Sequence, residues 1–562
     1  MELCSDLDVN ANKKTRYDRL DVAQKIVDIK TVLKNTHNKS EAARSVNGPR
    51  STARYWLDRE SKTGLSREVE LFFESPSGMA FLHQLTISAQ FAIIQLAGGG
   101  LEVFSTFLHL SQLDQFVASS HGVLHKQNVV MEEAINQFGS DERKQLIPKM
   151  PAKEISVCQD ETFHPEICLV AIEPVSNFII LEEYSEKRDG EAWSKAMKGA
   201  LDDLPVKIIQ STSDEGTGLV KYVEKELGAH HSSDLFHGLQ EITRATSAPF
   251  RAKVKQAEAA HAGSIVALTR LEVEHEQYAI NNSSPEPWST LKQKIEAAET
   301  DINSTAQYLQ EVKQCQEKAK DAKKALGAAY HPYDLNTGKS RMVEEISALI
   351  EANLAIIESS ATYVELSENC MKRLEKARRV FHLMMTTVVF FWTTIKQYVS
   401  ALGLSSDLEA LMHDVLIPAL YLQLAAKKAK GAAERKRIAK LASELLAHLD
   451  VCDVWCNLPL DQCERIRMVA LQCAQLFQRS SSCVEGRNGY LSLRHHSSHR
   501  LNKRKLSALT VIHNYFIKRP DGTTAAERFF ESKPRDLFAY LLDNLTMLSR
   551  PAKARRITKI AA

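Results

Sequence analysis

Two aspartates sit where a chain could do phosphate chemistry. Asp160 follows EISVCQ and Asp214 follows VKIIQSTS, so each carboxylate is read at or just past the end of a short, β-branched apolar segment. Carboxylates fixed at neighbouring strand ends can converge on divalent cations, and two ions about 3.5–4 Å apart are the apparatus of metal-assisted phosphoryl transfer. One ion activates an attacking water or hydroxyl, and the other steadies the leaving oxygen. Ligands that are all oxygen suit Mg2+ or Mn2+, and two such ions are expected. A solitary Asp after a strand is usually a turn residue; the pair at matching strand ends is what points to catalysis. Glu161 and Glu215 directly follow the two aspartates, and successive strand residues are expected to face opposite ways.

The elements that must position this pair begin where the pattern changes, at Glu154. Segments 154–160, 167–176 and 177–185 read as three strands of an antiparallel meander. An amphipathic helix is expected over 189–204, a buried strand ending in an acidic turn over 206–216, a second helix over 217–228 and another short element over 232–241. Three strands, helix, strand, helix, strand is the order of the ribonuclease H-like fold, in which the first and fourth strands are neighbours. Residues 242–480 then lose strand character, and the charged runs in 251–330 predict an exposed antiparallel hairpin or short coiled coil. Upstream, Lys39 to Arg59 reads as helix, turn, helix, broken at Asn47-Gly48-Pro49, with Ser40 as a cap and Arg50, Arg54 and Arg59 on or beside the second helix. That is the layout of a helix-turn-helix whose basic residues meet DNA phosphates. The chain is thus divided into a DNA-binding part (1–70), a helical connector or dimerisation region (71–150), the first part of a catalytic core (151–241), a helical region (242–480) and a closing part with a basic C-terminal region (481–562).

Taken together, these motifs resemble bacterial insertion-sequence transposases of the DDE type, with a ribonuclease H-like core and a large all-helical insertion before the last carboxylate, as in Mutator-like and hAT-like elements. The phrase VEGRNGYLSLRHH is similar to transposase-like bacterial proteins, and the resemblance spans nearly the whole chain. It implies an α+β fold, a mixed sheet interrupted by an all-α insertion. It also implies a third metal-binding acid on a helix after the insertion, a position that Glu485 matches; Asp461 and Glu464 are the nearby alternatives. A C/D-x-x-H motif is implied near the fifth strand, and Asp234-Leu235-Phe236-His237 fits it, giving Asp234 and His237 a supporting role. The implied activity is cleavage of DNA at the element ends, followed by attack of the freed 3′-hydroxyl on target DNA. Terminal inverted repeats and target DNA are the implied partners, and joining two ends implies a dimer or higher assembly.

Charge distribution fits a nucleic-acid partner. Of 562 residues 25% are charged and the formal net charge is only +2, yet from Arg487 onward 16 Lys/Arg face 5 Asp/Glu, leaving the rest of the chain acidic. Arg487, Asn488, Arg494, Arg500, Lys503, Arg504 and Lys505, with Tyr490 among them, are read as a phosphate-binding stripe that Arg550 to Lys559 would extend. Gly486 and Gly489 would let a nucleic-acid backbone come close. His495, His496 and His499 are read as DNA-facing or exposed. The ten cysteines lack the close pairs of zinc sites and are read as reduced core thiols. No apolar leader is evident, and the run Val389 to Trp392 is broken by threonines and Lys396; a bacterial cytoplasmic, nucleoid-associated protein is expected. Two other classes compete: a catalytically inactive or domesticated transposase-derived DNA-binding protein, and a helical scaffold that leaves the acidic strand ends unexplained.

Overall fold

Alternating β-branched residues and the scarcity of Gly and Pro in 153–185 lead to three consecutive antiparallel strands. The computed structural model, which describes residues 19–60, 67–163, 166–214, 216–281, 288–498 and 501–551, contains β1 (Lys153–Phe163), β2 (Ile167–Glu173), β3 (Phe178–Ser185), β4 (Val206–Ser213) and β5 (His230–Ser233). They form one mixed sheet in the order β3-β2-β1-β4-β5. β2 runs antiparallel to both β1 and β3, whereas β4 runs parallel to β1 and β5 parallel to β4. Parallel neighbours need crossovers. Helix Gly190–Leu201, capped by the Asp189 carboxylate on the Ala192 N–H, leads from β3 to β4. Helix Thr217–Tyr222 and the π turn after it end at Gly228, whose φ of +61° turns the chain into β5.

Several boundaries differ from the sequence reading. β1 continues three residues past Asp160, because its ladder with β2 extends to the Phe163–Ile167 pair. β2 stops at Glu173, whose carboxylate accepts the N–H groups of Val175 and Ser176 and so builds the turn to β3. Asn177 sits in that turn at φ +65°, so β3 starts one residue later than expected. β5 occupies 230–233 rather than 232–241, and a helix begins at Leu235.

The chain divides into two compact units. One comprises Lys149–Leu491 and Arg528–Ser532 and holds the sheet together with the helical region. Among its described residues no strand follows β5. Helices Leu235–Asn281 and Trp288–Ala329 lie antiparallel, with His261 opposite Thr305, Glu258 opposite Lys313 and Thr243 opposite Lys323. At 1.5 Å per residue the longer one extends roughly 70 Å, which matches the expected hairpin. The region's core gathers Tyr330, Tyr333, Phe381, Phe391 and Phe477 with many aliphatic residues. The segment Arg528–Ser532 seats its aromatic rings on the sheet: Phe529 stacks on Phe178 with centroids 4.4 Å apart, and Phe530 meets it edge-on at 5.3 Å.

The second unit contains Met1–Pro148, Ser492–Glu527 and Lys533–Ala562. Helices Arg19–Thr36, Lys39–Ser45 and Arg50–Glu60 share a small core of Ile29, Ala42, Ala43, Val46, Ala53 and Trp56. The cap of the middle helix is Asn38, not Ser40, with its carboxamide oxygen on the N–H groups of Ser40 and Glu41. Residues 67–146 are helical as expected, and helix His121–Leu146 packs against Lys503–Tyr515 and Leu537–Asn544. The C-terminal region is therefore grouped with the N-terminal helices rather than with the sheet. Helices Pro76–Leu96 and Ser406–Lys428 are long and apolar enough to cross a membrane by length and composition, and 44% of each window is buried within the protein.

Phe529→Ala removes a ring that is fully buried against Phe178, and the expected loss is about 3–5 kcal/mol of stability. Chemical denaturation checks this; an unchanged midpoint would contradict the placement of this segment.

Candidate active site

Strand register brings the acidic residues into line. The last β1–β4 pair is Cys158–Thr212, so Asp160 and Asp214 each lie two residues beyond it. The last β4–β5 pair is Ser213–Ser233, and the next residues are Asp214 and Asp234. Asp160 within β1, Asp214 just past β4 and Asp234 just past β5 thus lie at one level on three adjacent parallel strands. Residues level with each other on parallel strands share a face. Behind them the three strands are tied by buried polar side chains: Ser156 donates to Gln210 (2.9 Å), Gln210 to Ser232 (2.7 Å), and Ser211 to Gln159 (2.6 Å). This polar ladder was not anticipated, although the hydroxyl-rich QSTS and SS segments carried the signal.

Glu485 reaches the same neighbourhood from helix Ser482–Ser498, the closing helix, which is docked on this face through four links. Ser481, just before it, donates its hydroxyl to Asp234 Oδ2; Cys158 donates its thiol to the Ser480 carbonyl at 3.8 Å; Arg487 pairs with Glu182; and Asn488 Nδ2 donates to Asp160 Oδ2 at 2.9 Å. Asp461 and Glu464 are exposed on helix Leu460–Gln475.

The charges on these residues act on one another. Burial raises the Asp160 pKa to about 7, and repulsion from Glu485, Asp214 and Glu161 adds to it, against the stabilising N–H of Glu161. Burial also raises the pKa of Glu485, with Asp234 and Asp214 repelling its charge and His237 attracting it. All five residues read from the sequence as catalytic or supporting therefore share one electrostatic neighbourhood. Asp214 Oδ1 accepts the Gly216 N–H at 3.0 Å, and a Cβ on Gly216 would stand only 3.0 Å from that oxygen. Asp234 is buried, with Oδ1 on the Phe236 N–H at 2.7 Å; His237 Nε2 is buried without a hydrogen-bond partner.

Glu161 faces away as expected, accepting from the Trp193 indole at 3.1 Å and from Arg188 at 3.4 Å. Glu215 lies outside the described residues. So do Arg500, His499, the Arg59 side chain and the segment after Pro551.

The expected phosphate-binding stripe is largely corrected. Arg487 is buried and doubly bonded to Glu182, also stacking on Tyr490 at 5.1 Å. Arg494 is buried and donates to the carbonyls of Ile94, Gln95 and Leu96, serving the end of a helix. Arg504 pairs with the buried Glu132 at 2.8 Å, and burial lowers the Lys505 pKa. Lys503 is exposed. In the N-terminal helices Arg50, Arg54 and Tyr55 are exposed while Trp56 is buried.

Among the described residues no three His, Cys, Asp or Glu side chains form a ready-made ion cage. The donor set nonetheless fits a hard divalent cation. Asp160, Asp214 and Glu485 offer only oxygen, and Asp160 and Glu485 hold their protons more tightly than ordinary carboxylates because they are buried, with repulsion from neighbouring acids adding to it.

Residues 412–557, which include Glu485 and well under half of the chain, match a family of unknown function (DUF6399). No curated protein matches the chain.

The raised Asp160 pKa has a stability consequence with a definite sign. An unfolded Asp releases its proton near 3.9 and the folded one near 7. The folded state therefore binds more protons between these values, and stability falls as pH rises through them. In the presence of a chelator, Asp160→Asn should raise the melting temperature, more at pH 8 than at pH 5, by up to a few kcal/mol in free energy. An equal effect at both pH values would contradict the raised pKa that burial and the neighbouring acids give Asp160.

Proposed function

We propose that this protein is a DDE-type transposase, a polynucleotidyl transferase that cleaves DNA at the ends of an insertion sequence and joins them to a target. The observation that carries the reading is the shared field of Asp160, Asp214 and Glu485. These residues come from β1, from the end of β4 and from a helix that follows some 245 residues of helical chain. The strand order β3-β2-β1-β4-β5, with only β2 antiparallel to its neighbours, supports a ribonuclease H-like core. On this reading the helical region between β5 and the closing helix is an insertion into that core.

Asp160, Asp214 and Glu485 would hold two Mg2+ or Mn2+ ions, which supply activation of the attacking oxygen and stabilisation of the leaving one. The protein's own groups do the rest. Gly216 N–H orients Asp214, Glu161 N–H and Asn488 orient Asp160, and Ser481 ties Asp234 to the start of the closing helix. The His237 cation or dipole offsets part of the negative charge on Glu485. Arg50 and Arg54, with Tyr55 between the helix turns, are the residues best exposed for reading double-stranded DNA at the terminal repeats. Lys503 is exposed for a phosphate contact elsewhere. A homodimer or higher assembly would bring two ends together in the bacterial cytoplasm, at the nucleoid.

The test uses a supercoiled plasmid carrying the genomic flanks of the gene. Wild-type protein with Mg2+ or Mn2+ should nick or cut at the flank boundary. Asp160→Ala and Asp214→Ala should each lower the rate by at least about 100-fold while retaining DNA binding in a gel-shift assay. Cleavage that persists in Asp160→Ala would refute the assignment; DNA binding with no wild-type cleavage would favour the inactive, DNA-binding alternative.

A further inference from the structure

A helix lying on a sheet can rotate about its axis or slide along it, and either motion would carry Glu485 away from the aspartates. Val484 and Leu491 are buried and Ser481 is tied to Asp234, but a Cβ added at Gly486 or Gly489 would meet nothing within 4 Å. Two consecutive residues of the closing helix add directional polar tethers to this packing. Arg487 Nε and Nη2 donate to the two carboxylate oxygens of Glu182 at 2.7 and 2.6 Å, and the side chains are 5% and 0% exposed. Asn488 Nδ2 donates to Asp160 Oδ2 at 2.9 Å.

Their partners are level with each other on the sheet, since Glu182 pairs with Val170 and Val170 with Asp160. Directly opposed residues share a face, so the two tethers grip one sheet face two strands apart. Successive helix residues project about 100° apart, so tethers at 487 and 488 fix rotation as well as height. Glu485 lies three residues before Asn488, on the same side of the helix.

We propose that Arg487 and Asn488 are positioning residues: with Glu182 they form a register lock that seats the closing helix so that Glu485 faces Asp160 and Asp214. This inference rests on the reading of those three carboxylates as a cation site. Two features indicate a role in placement rather than in stability alone. A fully buried ion pair is often replaceable by apolar residues without loss of stability, and fixing register is its best-attested use. Asn488 keeps its bond to Asp160 while its own Oδ1 is buried without a partner, a sacrifice that a residue selected only for packing would avoid.

The experiment measures Mn2+ binding by the free-ion paramagnetic resonance signal, alongside thermal melting, for the full-length chain. The double variant Glu182→Leu with Arg487→Met should melt within a few degrees of wild type yet bind Mn2+ at least about tenfold more weakly, as loss of residues behind a metal ligand typically does. Its kcat for plasmid cleavage should fall while KM for DNA stays unchanged. Asn488→Ala, which leaves the ion pair intact and serves if the double variant fails to fold, should weaken Mn2+ binding at least threefold with little change in melting. Arg487→Lys, which keeps the charge but not the fork, should fall between wild type and the double variant. A folded double variant, or a folded Asn488→Ala, that binds Mn2+ as wild type does would overturn the register lock. Wild-type protein that binds no Mn2+ would instead overturn the cation-site reading, and the lock with it.

Discussion

Like charges crowded at one edge of a sheet are costly unless something balances them, and this constraint shapes the rest of the molecule. Asp160, Asp214 and Asp234 lie at the same level on three adjacent parallel strands, and Glu485 comes to them from a helix. Each aspartate therefore needs a local anchor. Gly216, Phe236 and Glu161 supply backbone N–H groups, and Ser481 and Asn488 supply side-chain donors. Even so, Asp160 remains half-neutralised near pH 7. Such a cluster costs folding energy in the absence of a counter-charge, which is the usual mark of a site kept for function rather than for stability.

Scaffolding follows from that requirement. Parallel strands β1, β4 and β5 deliver their ends to one place, and the buried ladder of Ser156, Gln210, Ser232, Ser211 and Gln159 holds the strands in register where ordinary apolar packing would leave room for slippage. The closing helix adds the fourth acid after a long helical excursion. The electrostatic influence between Glu485 and the aspartates is thus long-range in sequence, more than 270 residues from Asp214, and depends on how the helix is seated.

Much of this was legible from sequence because local rules governed it. β-branched runs marked all three meander strands and β4, alternation correctly turned Glu161 away from Asp160, and the helical hairpin over 251–330 followed from its charged, strandless pattern. What could not be read locally was the fate of residues whose partners are distant in the chain. Arg487 and Arg494 look like phosphate ligands in a basic segment, yet one partners Glu182, some 300 residues away, and the other caps the carbonyls of Ile94 to Leu96. Glu182 did offer a hint: it directly follows the apolar run Phe178–Leu181, and an acid buried with such a run needs a cation. The exposed Arg50 and Arg54 kept their expected place because a short helix around Trp56 has only one face to bury.

An ion bound at the proposed site of Asp160 and its neighbours would displace protons from them. Calorimetric titration of Mn2+ into the protein in buffers of different ionisation enthalpy measures both the binding and the protons released. With an Asp160 pKa of about 7, binding at pH 6 should release close to one proton, release should fade towards zero by about pH 8.5, and it should be absent in Asp160→Asn. Failure to bind Mn2+, or binding with no proton release at pH 6, would contradict the central claim.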